Sequence, residues 1–265
     1  MKSGSTLVIL SAIILCAATA RAGAPSKEDL KKVLDKNPDL ILDVLRSHKA
    51  DFFKVVNEAA REEQERMREE QAAADKKEYE ESFKNPKTPS IDEKTRVRGN
   101  QKAKYTLVEY SDFQCPYCAR GFRTVEDLRK KYGEDLRFIF KNKPLPMHPQ
   151  ALPAAQYLEA AALQSAEKAW KFHDTLFANQ DKLGEDFYKA TAKELGLDVA
   201  KLEKDAKSQA VKDRIDADVA EAETFGFTGT PGFLLNGVPI RGAYPQEFFE
   251  SIIQKLDSKP KEQKN

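Results

Sequence analysis

Apolar positions along the chain follow three successive patterns. The first is a continuous run, Leu7 to Ala18, set behind Lys2 and followed by Ala20-Arg21-Ala22. That layout predicts a signal peptide over 1–22, too short to span a bilayer and cleaved after Ala22. An uncleaved N-terminal anchor is the alternative. Lipid attachment at Cys16 is disfavoured, because Leu15 rather than a small residue precedes it.

The second pattern is helical and fills 23–89. Ser26 with Asp29 predicts a capping box, opening a short helix that carries Leu30, Val33 and Leu34. Asn37-Pro38 restarts the helix, with Asn as cap and Pro at the first position. No Pro or Gly then occurs before Pro86. Ile41, Leu45, His48, Phe52, Val55 and Ala59 form a heptad seam, broadened by Leu40, Val44, Phe53, Val56 and Ala60. Beyond Ala60 the seam fades into a solvated, charged stalk held by charge pairs four residues apart. If continuous from Pro38 to Phe83, this helix would extend roughly 70 Å. Two readings stay open: the helices fold back on the rest of the chain, or residues 26–84 associate with other copies. The second is favoured, since a lone helix cannot bury Phe52, Phe53, Val55 and Val56 together. Asn85-Pro86-Lys87-Thr88-Pro89 ends the helix as a linker.

The third pattern, over 90–257, alternates strands and helices. Tyr105–Tyr110 reads as a strand, after a short segment around Val97. Cys118, Phe122, Val125, Leu128 and Tyr132 then recur at helical spacing and stop at Gly133. Leu136, Phe138 and Phe140 predict a half-buried strand closed by Pro144 and Pro146. An insertion over about 144–223 is helical throughout. Within it Trp170 and His173 read as core, and Leu202 to Ala222 as one helix. Phe233–Leu235 and Val238–Ile240 flank Asn236-Gly237, a hairpin turn, with Pro239 placing the second strand at an edge or bulge. Pro245 opens a last helix, and the Lys-rich segment 258–265 reads as a disordered tail.

Charge narrows the function only a little. The chain carries 44 basic and 43 acidic residues, so no nucleic-acid or membrane field is implied. Cysteine content narrows it more. Cleavage removes Cys16 and leaves Cys115 and Cys118, a pair with no structural disulfide framework around it. Cys115 falls near the N-cap of its helix and Pro116 near the first helical position. Unpaired N–H groups and the helix dipole there favour a thiolate. The pair is therefore read as redox-active. Structural zinc needs four ligands, which two cysteines and three scattered histidines do not supply. Two thiolates can hold Cu(I), which leaves an envelope copper-binding protein as an alternative. A non-catalytic oligomeric chaperone is another. No cofactor is expected.

Phe113-Gln114-Cys115-Pro116-Tyr117-Cys118, Thr230-Pro231-Gly232-Phe233 and the helical insertion together resemble the DsbA family of exported thiol–disulfide oxidoreductases. The long N-terminal extension is similar to ScsC-like and Com1-like members, some of which oligomerise through it. The resemblance covers roughly residues 95–256. It implies an α/β thioredoxin-like fold with a helical insertion, preceded by an all-α extension. It further implies Cys115 as nucleophile, Cys118 as buried resolving thiol, and a Cys115–Cys118 redox disulfide. Thr230-Pro231 matches the family's cis-proline loop, which with Pro116 and Tyr117 would meet substrate. Glu109 matches a buried acidic position suited to proton relay, its alternative being a solvent-facing strand carboxylate. Asp112 can be a mere loop cap, and His148 a surface residue. Pro116-Tyr117 departs from the Pro-His of the best-known oxidase, which puts strong oxidising power in doubt. The implied partners are exported proteins with thiols or disulfides, copies of the chain, and a membrane redox partner. The implied location is the periplasm or another exported compartment. Direction, clients, subunit number and copper binding stay open.

Overall fold

The computed structural model describes residues 24–92 and 96–258. The signal-peptide and anchor expectations lie outside them, as does the expected tail apart from Ser258, which caps the last helix. The chain divides after Glu70 into two compact units.

The first unit is helical. Helix α1 (Lys27–Lys36) is opened by the Ser26/Asp29 capping box, with Asp29 N–H donating to Ser26 Oγ at 3.2 Å. Asn37 closes α1, its side-chain amide donating to the Val33 carbonyl, and Pro38 rather than Asn37 caps α2 (Asp39–Ser47). The long helix expected from Pro38 is interrupted. His48 adopts φ −114° and ψ 29°, and α3 (Lys49–Ser82) begins after it. No Pro or Gly causes this break. Ser47 Oγ donates to the Asp43 carbonyl at 2.8 Å, the back-bonding that loosens a helix from within. No residue of α1 or α2 is buried, and Phe52, Phe53, Val55 and Val56 are all exposed.

The second unit begins in the last turns of α3. Tyr79 and Phe83 meet edge to face with centroids 4.9 Å apart, and the Lys255 ammonium lies over both rings. A five-stranded sheet follows in the order β1-β3-β2-β4-β5. These are β1 (Val97–Arg98), β2 (Tyr105–Ser111), β3 (Leu136–Asn142), β4 (Gly232–Leu235) and β5 (Val238–Arg241). Strands β2 and β3 run parallel with Glu109 opposite Phe140, while β4 pairs antiparallel with β2 and sets Phe233 opposite Glu109. The β4–β5 hairpin turns on Asn236 and Gly237, at φ 47° and 84°. Positive φ at both is the type I′ signature, and β5, with Pro239, is an edge.

Both faces of the sheet are covered, so the half-buried expectation for β3 is wrong. Leu107, Phe138 and Phe140 face α4 (Pro116–Tyr132), whereas Val108, Tyr110 and Ile139 pack beneath α9 (Gln209–Thr224). Between β3 and β4 lie α5 (Ala151–Gln164), α6 (Ala166–Ala178), α7 (Glu185–Glu194), α8 (Val199–Ala206) and α9. The single helix expected over Leu202–Ala222 is two, because the Ser208 hydroxyl accepts from Val211 N–H and starts α9 afresh. Helix α10 (Gln246–Asp257) closes the fold.

Buried ions tie the inserted helices to the sheet. The Arg96 guanidinium donates two hydrogen bonds of 2.7 Å to Glu159 on α5, and Asn142 at the end of β3 donates to the same carboxylate. Both partners of the pair are buried, at 5% and 7% side-chain exposure. Removing one strands the other's charge. Glu159→Ala is therefore expected to lower unfolding free energy by about 3–5 kcal/mol, read from urea denaturation midpoints. A loss below about 1 kcal/mol would contradict this account of the tether.

Candidate functional site

Strand β2 ends at Ser111, and the chain turns through Asp112 to Gln114 into α4. Cys115 is the N-cap of α4, with φ −72° and ψ 123°, and Pro116 opens the helix without a lost hydrogen bond. The turn is held from inside. Asp112 Oδ1 accepts from Gln114 N–H at 2.7 Å, and Oδ2 accepts from Leu145 N–H at 2.9 Å. His148 Nδ1 also lies 2.7 Å from Oδ2. Asp112 thus joins the loop after β2 to the loop after β3, which is more than a local cap. His148 is partly buried against it rather than free on the surface.

The insertion grips the same loop from the other side. Gln180, in a single 3₁₀ turn after α6, donates to the Phe113 and Cys115 carbonyls at 2.7 and 2.9 Å. Gln114 Oε1 accepts from Gln150 N–H. Nothing in the sequence singles out Gln180 or Gln150, because their contacts span more than 30 residues of chain.

Both cysteines are free thiols and buried. The Cys115 sulfur donates to the Thr230 carbonyl at 3.6 Å, and the Cys118 sulfur accepts from Asp112 N–H at 3.4 Å. A hydrogen bond from the Cys118 thiol does most to hold Cys115 down at about 5. Thr230 and the backbone N–H groups of Cys118 and Tyr117 add to this, against the opposing effect of burial. The Thr230 hydroxyl is buried and has no partner while Cys115 is protonated, which leaves it free to donate once a thiolate forms. Burial pushes Cys118 the other way, well above its ordinary value, reinforced by Cys115 and by the Glu109 charge. One thiol is ionised at neutral pH and its neighbour is not. That asymmetry suits one sulfur to attack and the other to wait.

Glu109 lies in the core, 1% exposed, and not at the solvent face of its strand. Burial raises it to about 8, opposed by a 2.7 Å hydrogen bond from the Ser111 hydroxyl and reinforced by Cys115. Gly121 on α4 makes the room. A Cβ there would stand 3.1 Å from the Phe233 ring, 3.4 Å from Pro231 and 3.5 Å from Glu109 Oε1. Ser111 carries no signal in the sequence beyond its alternation with Glu109.

The Thr230–Pro231 peptide is cis, and this loop faces Cys115. A cavity of about 240 Å³ runs along it between Phe227 and Gly242. A second, of about 360 Å³, lies between Tyr117 and Arg120 on one side and Gly242–Tyr244 on the other. Tyr117 points outward, 56% exposed, under the Arg120 guanidinium at 4.8 Å. Tyr117 therefore helps the thiolate through its backbone N–H and not through its ring. His173 is buried among Phe113, Phe122 and Phe140, and burial lowers it to about 4, a neutral core residue as expected. Among the described residues, no group of three or more His, Cys, Asp or Glu gathers in a metal-holding cluster.

A cysteine pair at the head of a helix, a cis-proline loop across from it and this sheet define a thioredoxin-like domain. Residues 91–255 match the thioredoxin family, and the chain belongs to it. A thioredoxin-like oxidoreductase from Silicibacter pomeroyi DSS-3 is similar, at 28% identity and TM-score 0.58 over 64% of this chain and 95% of that one. The catalytic domain of Proteus mirabilis ScsC shares the fold, at 21% identity and TM-score 0.55 over 63% and 92%. The Na(+)/H(+) antiporter NhaA of Herminiimonas arsenicoxydans is 38% identical over 169 residues, 64% of this chain and 26% of the antiporter. The chain spans about a quarter of the length of the curated relatives it matches. No helix among the described residues is long and apolar enough to cross a membrane.

Proposed function

We propose that the chain is a thiol–disulfide oxidoreductase of the DsbA type, acting on cysteines of exported proteins. The observation that carries this reading is the opposed ionisation of Cys115 and Cys118 beneath the Thr230–Pro231 loop. In the oxidising direction a client thiolate attacks Cys115 of the Cys115–Cys118 disulfide. A client–Cys115 bond forms, and Cys118 leaves as a thiolate that takes up a proton. A second client thiolate then attacks the client sulfur. The client gains a disulfide, two electrons pass to the protein, and Cys115 departs as its stabilised thiolate. In the reducing or reshuffling direction the Cys115 thiolate attacks a client disulfide, and Cys118 releases the client if it stalls. Glu109 holds or supplies the proton that Cys118 exchanges. Pro116, Tyr117, Thr230 and Pro231 form the rim on which a client rests. Mixing the oxidised full-length protein with a reduced, unfolded two-cysteine client tests this. Disulfide transfer that disappears in Cys115→Ser supports it; equal client oxidation with and without the protein overturns it.

The apolar face of α2 and early α3 supports assembly of several copies through residues 26–84, and with it a resemblance to ScsC-like proteins. Several active sites in one particle favour reshuffling of misfolded clients. Deleting residues 23–89 is then expected to give a monomer by light scattering, with isomerase activity reduced and simple thiol oxidation retained or raised. Undiminished isomerase activity in the truncated protein would sink the assembly reading while leaving the thiol chemistry standing.

A further inference from the structure

The groove beside Cys115 is basic. Arg241 lines both cavities and Arg120 the one beside Tyr117, and no carboxylate lines either. Arg120 lies over the Tyr117 ring and has no carboxylate partner among the described residues. Arg241 is half occupied. Its Nη2 donates to Glu78 Oε1 at 2.7 Å and its Nε to the Gly226 carbonyl at 3.4 Å, while its Nη1 has no partner among the described residues. Gly226, at φ +76°, stands so close that an added Cβ would lie 3.2 Å from Nη2, so the guanidinium is seated against bare backbone. Thr230 lines both cavities and its carbonyl is the group that touches the Cys115 sulfur. A client chain laid along Thr230 to present a cysteine to Cys115 thus borders a cavity that both arginines line.

We infer that Arg120 and Arg241 select clients carrying an acidic side chain two residues from the reacting cysteine, with Glu78 acting as a built-in competitor for Arg241. The inference rests on the thiol-exchange reading above and names its substrate class. An extended client advances about 3.3 Å per residue and points alternate side chains the same way, so residues two away share the face of the cysteine. Those side chains reach the groove walls when the cysteine reaches Cys115. A guanidinium binds a carboxylate through paired N–H donors, and Arg241 keeps one side of its fork open for it. Glu78, at the end of α3, holds the other side. A client carboxylate shares or displaces that contact. Client choice is thereby linked to how the last turns of α3 sit against β5.

The test uses single-cysteine peptides that differ only in Glu, Gln or Lys at the second position before or after the cysteine. Their rates of attack on the oxidised full-length protein are read by acid quench, alkylation and mass spectrometry. Each rate is divided by that of the same peptide with hydroxyethyl disulfide, a neutral reagent that cancels the peptide's own thiol ionisation. The expected order is Glu above Gln above Lys, with Glu and Lys differing by about three- to tenfold in dilute buffer. The spread should shrink in about 0.5 M salt, where screening acts within a few ångström. R120Q with R241Q should bring the Glu-to-Lys ratio toward one, R120K should keep it above one, and E78Q should raise it. Equal ratios in the unaltered protein, or ratios indifferent to both arginines, overturn acid selection while exchange itself persists. No exchange with any peptide overturns the thiol-exchange reading, and the selection with it.

Discussion

Replacing Cys118 with Ala is expected to convert turnover into trapping. Cys115 keeps the backbone N–H groups at the head of α4 and Thr230, which favour its thiolate, though the largest contribution, the hydrogen bond from Cys118, is lost. It therefore still attacks client disulfides, forming a Cys115–client bond as the client's other sulfur leaves. The exit through Cys118 is gone. Mixed disulfides should accumulate as high-mass bands on non-reducing gels, each mapping to Cys115 by mass spectrometry. Turnover should drop by at least about 10³-fold, the scale on which losing one member of a catalytic unit registers. The pH profile carries a sign. With Cys115 held near 5 in the unaltered protein, its capture of client disulfides should be level above about pH 6 and decline below about 5. Without the Cys118 bond, the decline in the variant should begin at higher pH. Adducts that form equally in Cys115→Ser, or none even at about pH 9 where an ordinary thiol ionises, would remove Cys115 from its role.

Elements set by local chemistry are legible in the order of residues alone. The Ser26 box, the Asn236-Gly237 turn and Cys115 at a helix head each depend on residues within four positions of one another. What depends on distant chain is not. Lys141 reads as the polar side of a half-exposed strand, yet α9 buries it beside Asp218 and Glu221. Alternation reports side-chain polarity, and a buried ion pair defeats that reading. The break at His48 escapes a reading of the sequence because neither Pro nor Gly marks it, and a serine hydroxyl turned back on the Asp43 carbonyl accompanies it. In the site, the cysteines and the Thr230–Pro231 loop can be named from resemblance. Gln180, Ser111 and the two arginines cannot, since only folding brings the insertion and the β5 loop to the head of α4.

Glu109→Gln is expected to separate attack from resolution. The Glu109 carboxyl lies close enough to Cys118 to act on it electrostatically, and burial together with the Cys115 thiolate holds its proton up to about pH 8. When a client occupies Cys115 the thiolate charge vanishes, and one of the forces holding that proton vanishes with it. Glu109 then gives up its proton more readily, at the step where Cys118, itself raised well above its ordinary value, needs a base. Gln accepts the Ser111 hydrogen bond but takes no proton. Resolution of the mixed disulfide should slow by about 10²-fold, while attack by Cys115 changes far less. Rapid quench with alkylation separates the two rates, and equal slowing of both would reduce Glu109 to a structural part. Stability supplies an independent sign. A carboxyl raised from 4.5 to about 8 by folding binds more protons folded than unfolded across that window. Its contribution is fully present below about pH 4.5 and is lost as pH climbs toward 8. The unaltered protein should therefore fall behind Glu109→Gln in Tm as pH rises from 5 to 8, with the gap levelling off above about 8. A constant gap across that range would mean that Glu109 does not change its charge between the folded and unfolded chain, and the proton relay would lose its donor.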